Sequence, residues 1–126
     1  MVQPEQPIRG QLVLLPTPPE GGFTVADLPR LTEAIDAHFE LLDGEVVMMA
    51  PATHWHDEVI DILKHALRRI APRSVVIAQE KGINLGNTAP EPDVLVVARH
   101  AVKSGSLVFE PADVSLAIEV VSPRPA

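Results

Sequence analysis

Thr53-His54-Trp55-His56-Asp57-Glu58-Val59-Ile60-Asp61-Ile62-Leu63-Lys64-His65-Ala66-Leu67-Arg68-Arg69-Ile70-Ala71 is the stretch on which the fold turns. Val59, Ile62, Leu63, Ala66, Leu67 and Ile70 fall on one helical stripe, while Asp57, Asp61, Lys64, Arg68 and Arg69 lie away from it, which predicts an amphipathic helix over 53–71. Acidic residues early and basic residues late complement the helix dipole, and Pro72 prevents continuation. Strand-like runs lie on both sides of it. Upstream, Phe39-Glu40-Leu41-Leu42-Asp43-Gly44-Glu45-Val46-Val47-Met48-Met49 is a pair of extended runs around Asp43-Gly44, a dipeptide that supplies the positive φ of a tight hairpin. Downstream, 74–79, 82–85, 92–98 and 114–121 read as strands, with a polar loop over 99–105. Strands flanking one long helix predict an α/β fold, a central mixed β-sheet with flanking helices.

The first 22 residues carry Pro4, Pro7, Pro16, Pro18, Pro19, Gly21 and Gly22, and are expected to form a flexible arm. Its Leu12-Val13-Leu14-Leu15 run is suited either to docking on the body or to pairing as an edge strand. A short helix is expected over 24–31, with Thr24 as N-cap and Asp27 three residues on. Residues 23–126 then make one domain, with no internal repeat.

A chain of 126 residues, 46% apolar but only 3% aromatic, must build its core from Val, Leu, Ile and Ala. No apolar run reaches the roughly 18 residues of a membrane span, and no signal-peptide pattern opens the chain, so a cytoplasmic location is expected. The absence of cysteine excludes disulfides, zinc-thiolate sites and thiol nucleophiles. Ten basic against seventeen acidic residues leave a net charge of −7, which argues against broad, charge-driven attraction to nucleic acid. A nuclease remains compatible with that balance, because bound divalent cations offset local negative charge.

Two carboxylates stand out on the expected strands. Asp93 opens Asp93-Val94-Leu95-Val96-Val97, and Glu119 sits within Val114-Ser115-Leu116-Ala117-Ile118-Glu119-Val120-Val121. An unpaired carboxylate is costly to bury, so each should meet a cation, a hydrogen-bond network or solvent at a strand end. On neighbouring strands the two would form a hard-oxygen site suited to Mg²⁺ or Mn²⁺. Solvated strand ends account for them equally well on spacing alone.

Several motifs in series separate these readings. Gly22-Phe23-Thr24-Val25-Ala26-Asp27-Leu28, the hairpin from Phe39 to Val47, Ala50-Pro51 through His56, Pro90-Glu91-Pro92-Asp93-Val94 and Glu119-Val120-Val121-Ser122-Pro123 together resemble the Uma2 family of restriction endonucleases. That family is similar to the PD-(D/E)xK nuclease superfamily, whose central mixed sheet carries metal-assisted phosphodiester hydrolysis. The resemblance implies a Mg²⁺-dependent (or Mn²⁺-dependent) DNA endonuclease. It also implies Asp93 and Glu119 as metal ligands, the carbonyl of Val120 as a further ligand, and Glu40 as a helper carboxylate near the metal.

The chain departs from the pattern at one catalytic position. The spacing calls for lysine two residues after Glu119, where Val121 stands, and the basic stretch that family members place after the Ser-Pro step is not found after Ser122-Pro123. A chain truncated at its C-terminus is therefore expected, with Arg124 the nearest replacement charge. The competing expectation is a catalytically inactive remnant serving as an interaction or dimerisation module, including a homodimer. A third is a non-nuclease metal site built on His54 and His56, although residues at i and i+2 diverge on a helix. Lys64, Arg68, Arg69 and Lys81 are expected to be solvated, with DNA contact the alternative.

Overall fold

The computed structural model describes residues 6–8, 11–13 and 15–122, so Arg124 lies outside the described residues. The chain divides into two compact units, one drawn from residues up to 50 together with 85–90, the other from 51–84 together with residues from 91 onward.

In the first unit, β1 (Gln6–Ile8) and β2 (Gln11–Val13) form a short antiparallel pair. A 3₁₀ turn over Val25–Asp27 leads into α1 (Leu28–Ala34), and the hairpin follows as β3 (Phe39–Leu42) and β4 (Glu45–Met48). Asp43 and Gly44 both take positive φ, 48° and 83°, as the Asp-Gly signal required. The turn is also packed. Gly44 accepts from the Phe23 amide at 2.8 Å, and a Cβ placed on Gly22 would stand 2.9 Å from the Gly44 carbonyl oxygen, so side chains are excluded where these two backbones meet. Among the described residues of this unit, Leu15, Phe23, Leu28, Leu31, Ile35, Phe39, Leu41 and Ala89 are the buried apolar ones.

Asp27 fixes the start of that helical segment. Its carboxylate accepts from the Thr24 amide at 2.9 Å and pairs with Arg30 at 2.7 Å. The Thr24 hydrogen bond, then Arg30, hold its pKa below the usual carboxylate value. A depressed folded-state pKa contributes stability above the unfolded value of about 4, and that contribution is lost as pH falls through the folded pKa. Asp27→Asn should therefore destabilise the chain at neutral pH and bring its stability closer to wild type as the solution is acidified below about pH 4. Urea denaturation across that range reads the difference; a gap between the two proteins independent of pH would contradict it.

The second unit holds α2 (His54–Ile70), β5 (Val75–Gln79), β6 (Gly82–Ile83), β7 (Val94–Ala98), β8 (Val108–Phe109) and β9 (Val114–Ile118). The strands β5, β7 and β9 make an antiparallel sheet with β7 in the centre, and β6 pairs with β8 in parallel. The chain is thus α/β with both parallel and antiparallel pairing, as expected.

Residues 94–97 are buried without alternation because both faces of β7 are covered. Val94 and Val96 pack with Ile77 and with Ile60 of α2 on one face, while Leu95 and Val97 pack with Phe109 on the other. This central strand carries the core and delivers Asp93 at its first end.

Two expectations need correction. The buried face of α2 matches the expected stripe only in part: Val59, Leu63 and Leu67 are half-buried on the same side as the buried Ile60, whereas Ala66 is exposed and Ile62 and Ile70 are exposed by 68% and 81%. Apolar residues ring much of this helix, so counting them along the chain misplaces the side that meets the sheet, and Lys64 belongs nearer that side than expected. The last strand, in turn, ends at Ile118 and is an edge strand with Ser115, Leu116 and Ala117 exposed. Glu119 is consequently exposed too, and the cost of burying a carboxylate does not apply to it.

Candidate metal centre

The first turn of α2 places His56. Thr53 caps the helix, its side-chain oxygen accepting from the His56 amide at 3.2 Å. Four residues beyond His56, Ile60 is buried in the core packed on the sheet, so the imidazole lies on the sheet side of the helix. Its side chain is 15% exposed, and Nε2 stands 3.1 Å from Asp93 Oδ2.

Asp93 receives a second donor on the same oxygen, the amide of Val120 at 2.7 Å. The carboxylate is therefore held between the helix and the segment following β9. The register pairs Val94 with Ile118, the last residue of β9, and Glu119 and Val120 follow directly in the chain. Three of the expected site residues, Asp93, Glu119 and Val120, thus gather at one end of the β7–β9 ladder. Glu40 lies on β3 in the first unit, in register with Val47.

The sequence offers His56 as half of a metal pair with His54, and the structure sets it instead against Asp93. Nε2 is the ring nitrogen turned toward the Asp93 carboxylate. Nδ1 is buried without a hydrogen-bond partner, the nearest charged group being Asp57 Oδ1 at 3.9 Å. Leaving a buried polar atom unpaired costs roughly 1–3 kcal/mol, so this nitrogen favours a ligand that brings a donor or a cation. His54 faces elsewhere: it is 87% exposed and pairs with Glu58 at 3.0 Å, as i and i+2 divergence requires.

The donor set fits a hard divalent ion. Mg²⁺ is held through one or two carboxylates with water and substrate phosphates, and needs no closed protein cage. Among the described residues no group of three or more His, Cys, Asp or Glu is gathered for a metal, so Asp93 beside the Val120 backbone would serve such an ion only together with water and substrate.

This mixed α/β architecture is consistent with a restriction-endonuclease-like fold. Residues 25–126 match the Uma2 family, described as "Putative restriction endonuclease", and the chain belongs to that family. Neither the curated proteins nor the solved structures give a match. Among the described residues no helix is long and apolar enough to cross a membrane.

Proposed function

We propose that the chain hydrolyses phosphodiester bonds of DNA in a Mg²⁺-dependent (or Mn²⁺-dependent) manner. The observation that carries this reading is the position of Asp93, which meets the Val120 amide and His56 at the start of β7, with Glu119 the residue before Val120. Asp93 and Glu119 are the proposed ligands, Val120 offers its carbonyl as a third, and Glu40 enters as an auxiliary carboxylate on family resemblance alone. When bound, the ion supplies an acidified water and neutralises charge on the phosphate oxygens.

The chain's own residues do the positioning. The Val120 amide and His56 both meet Oδ2, which limits rotation of the Asp93 carboxylate and orients its other oxygen. His56 adds a second polar contact to that oxygen, at 3.1 Å. Val121 is exposed and carries no charge, so it neither binds phosphate nor moves a proton.

Conversion of supercoiled plasmid to nicked and linear forms by the purified chain tests the proposal. Cleavage is expected with Mg²⁺ or Mn²⁺, and chelation by EDTA should stop it. Val121 in place of lysine favours the alternative, a catalytically inactive interaction or dimerisation module. Cleavage no faster than that of Asp93→Ala and Glu119→Ala would end the nuclease reading.

A further inference from the structure

Lys64 is placed unusually for a lysine. It lies on α2 four residues beyond the buried Ile60 and eight beyond His56, one continuous i, i+4 stripe, and its side chain is only 17% exposed. Lysine is seldom withdrawn from water to this extent unless paired. Its ammonium meets the side-chain oxygen of Gln79, a neutral group, and stands 3.8 Å from Asp61, whose carboxylate is 77% exposed. An exposed partner at that distance is well screened and neutralises little of the charge.

Gln79 draws in a second lysine. The ammonium of Lys81 donates to the Gln79 backbone carbonyl at 3.5 Å, and Lys81 is itself half-buried. The Gln79 amide nitrogen in turn donates to Glu80 Oε1 at 3.4 Å. Gln79 ends β5 and pairs in register with Val94, so both lysines are attached to the sheet one residue from Asp93. Long helical side chains also lean toward the helix N-terminus, which carries the tip of Lys64 toward the His56 end.

Two cations drawn to one strand end, in a chain of net charge −7, need a reason. The carboxylates beside them, Asp61 and Glu80, are both exposed and well screened, and Gln79 offers dipoles rather than a countercharge. A phosphate delivered to the Asp93 end would supply that countercharge, and lysine binds phosphate as a compact point charge. We propose that Lys64 and Lys81, held by Gln79, contact a backbone phosphate of DNA and provide the positive charge that Val121 cannot. The inference rests on the nuclease reading for its substrate, yet it concerns binding and is separable from hydrolysis.

Fluorescence anisotropy of a short labelled duplex, titrated with the full chain in Ca²⁺ over a series of salt concentrations, tests it. Each phosphate contact contributes about 0.9 to the slope of log K against log salt. Lys64→Met should lower the magnitude of the slope by about one and weaken binding severalfold, with Lys64→Arg keeping the slope near wild type. Lys81→Met, on a surface turn, should act in the same direction and serves should Lys64→Met fail to fold. Unchanged slope and affinity in Lys64→Met and Lys81→Met variants that melt as wild type does would overturn the proposal while leaving plasmid cleavage intact. Expected slopes without Mg²⁺-dependent cleavage would sustain the phosphate contact and remove the nuclease reading. Absence of salt-dependent binding by wild type would overturn both.

Discussion

Asp93→Asn is expected to leave the chain folded and to lower Mg²⁺-dependent DNA cleavage by at least about a hundredfold, since charge stabilisation by a bound ion is worth several kcal/mol and each factor of ten is about 1.4 kcal/mol. The choice of asparagine matters. Its side-chain oxygen still accepts the Val120 amide that Asp93 Oδ2 holds at 2.7 Å, so the strand end keeps its tether while the negative charge is lost. Alanine removes both, and leaving a half-buried amide unpaired adds a stability cost of roughly 1–3 kcal/mol. Activity and melting temperature measured on both variants separate the two roles. Glu119→Gln is a second control: Glu119 is exposed, so its replacement should reduce cleavage with little change in melting. Cleavage by Asp93→Asn within threefold of wild type would show that the carboxylate is not a ligand of the reaction.

What the sequence discloses about this site depends on how local each determinant is. The Asp43-Gly44 turn is decided by two residues and their φ values, and the structure reproduces it. The α2 boundaries are nearly as local, with Thr53 capping and Pro72 stopping the helix. The rotation of that helix is not local. Ile60 is buried and Ile62 exposed because of where the sheet lies, and nothing in the spacing of apolar residues reports that. The same ambiguity concealed the placement of Lys64, which looks solvated on a helical wheel and turns toward Gln79 in three dimensions. β8 is missed for a different reason: two residues, Val108 and Phe109, are too few to show a period, and their pairing with β6 is long-range.

The metal centre divides along the same line. Asp93 and Glu119 are conspicuous because carboxylates interrupt or border apolar runs, and serial motifs gave them a chemistry. The antiparallel pairing of β7 with β9 brings their adjoining segments to one end of the sheet, and a sequence of short strands leaves that pairing undetermined. His56 is harder still. Its contact with Asp93 joins residues 37 positions apart and depends on the correct helix rotation. Once that rotation is known, however, the histidine, Ile60 and Lys64 become one face, and site and core are seen to share it.

Leu95→Ala should be the most destabilising of the single substitutions considered, costing about 2–5 kcal/mol against a total stability of roughly 5–15 kcal/mol for a domain. Leu95 is fully buried and packs with Val97 and Phe109 on the face of β7 away from α2. Neighbouring strands fix its backbone on both sides, Ala78 on β5 and Ala117 on β9, which limits how far the site can collapse around a cavity. Leu116→Ala provides the comparison. It removes the same atoms from an edge strand where the side chain is 44% exposed, and the cost should stay below about 1 kcal/mol. Urea denaturation monitored by far-ultraviolet circular dichroism reads both midpoints; equal shifts would show that β7 is not the central support of this unit. The comparison also bears on function, because Asp93 is held from both sides by groups that depend on β7. Loosening the strand two residues away should reduce metal-dependent cleavage before global unfolding is reached, whereas Leu116→Ala should leave the relation between stability and cleavage unchanged.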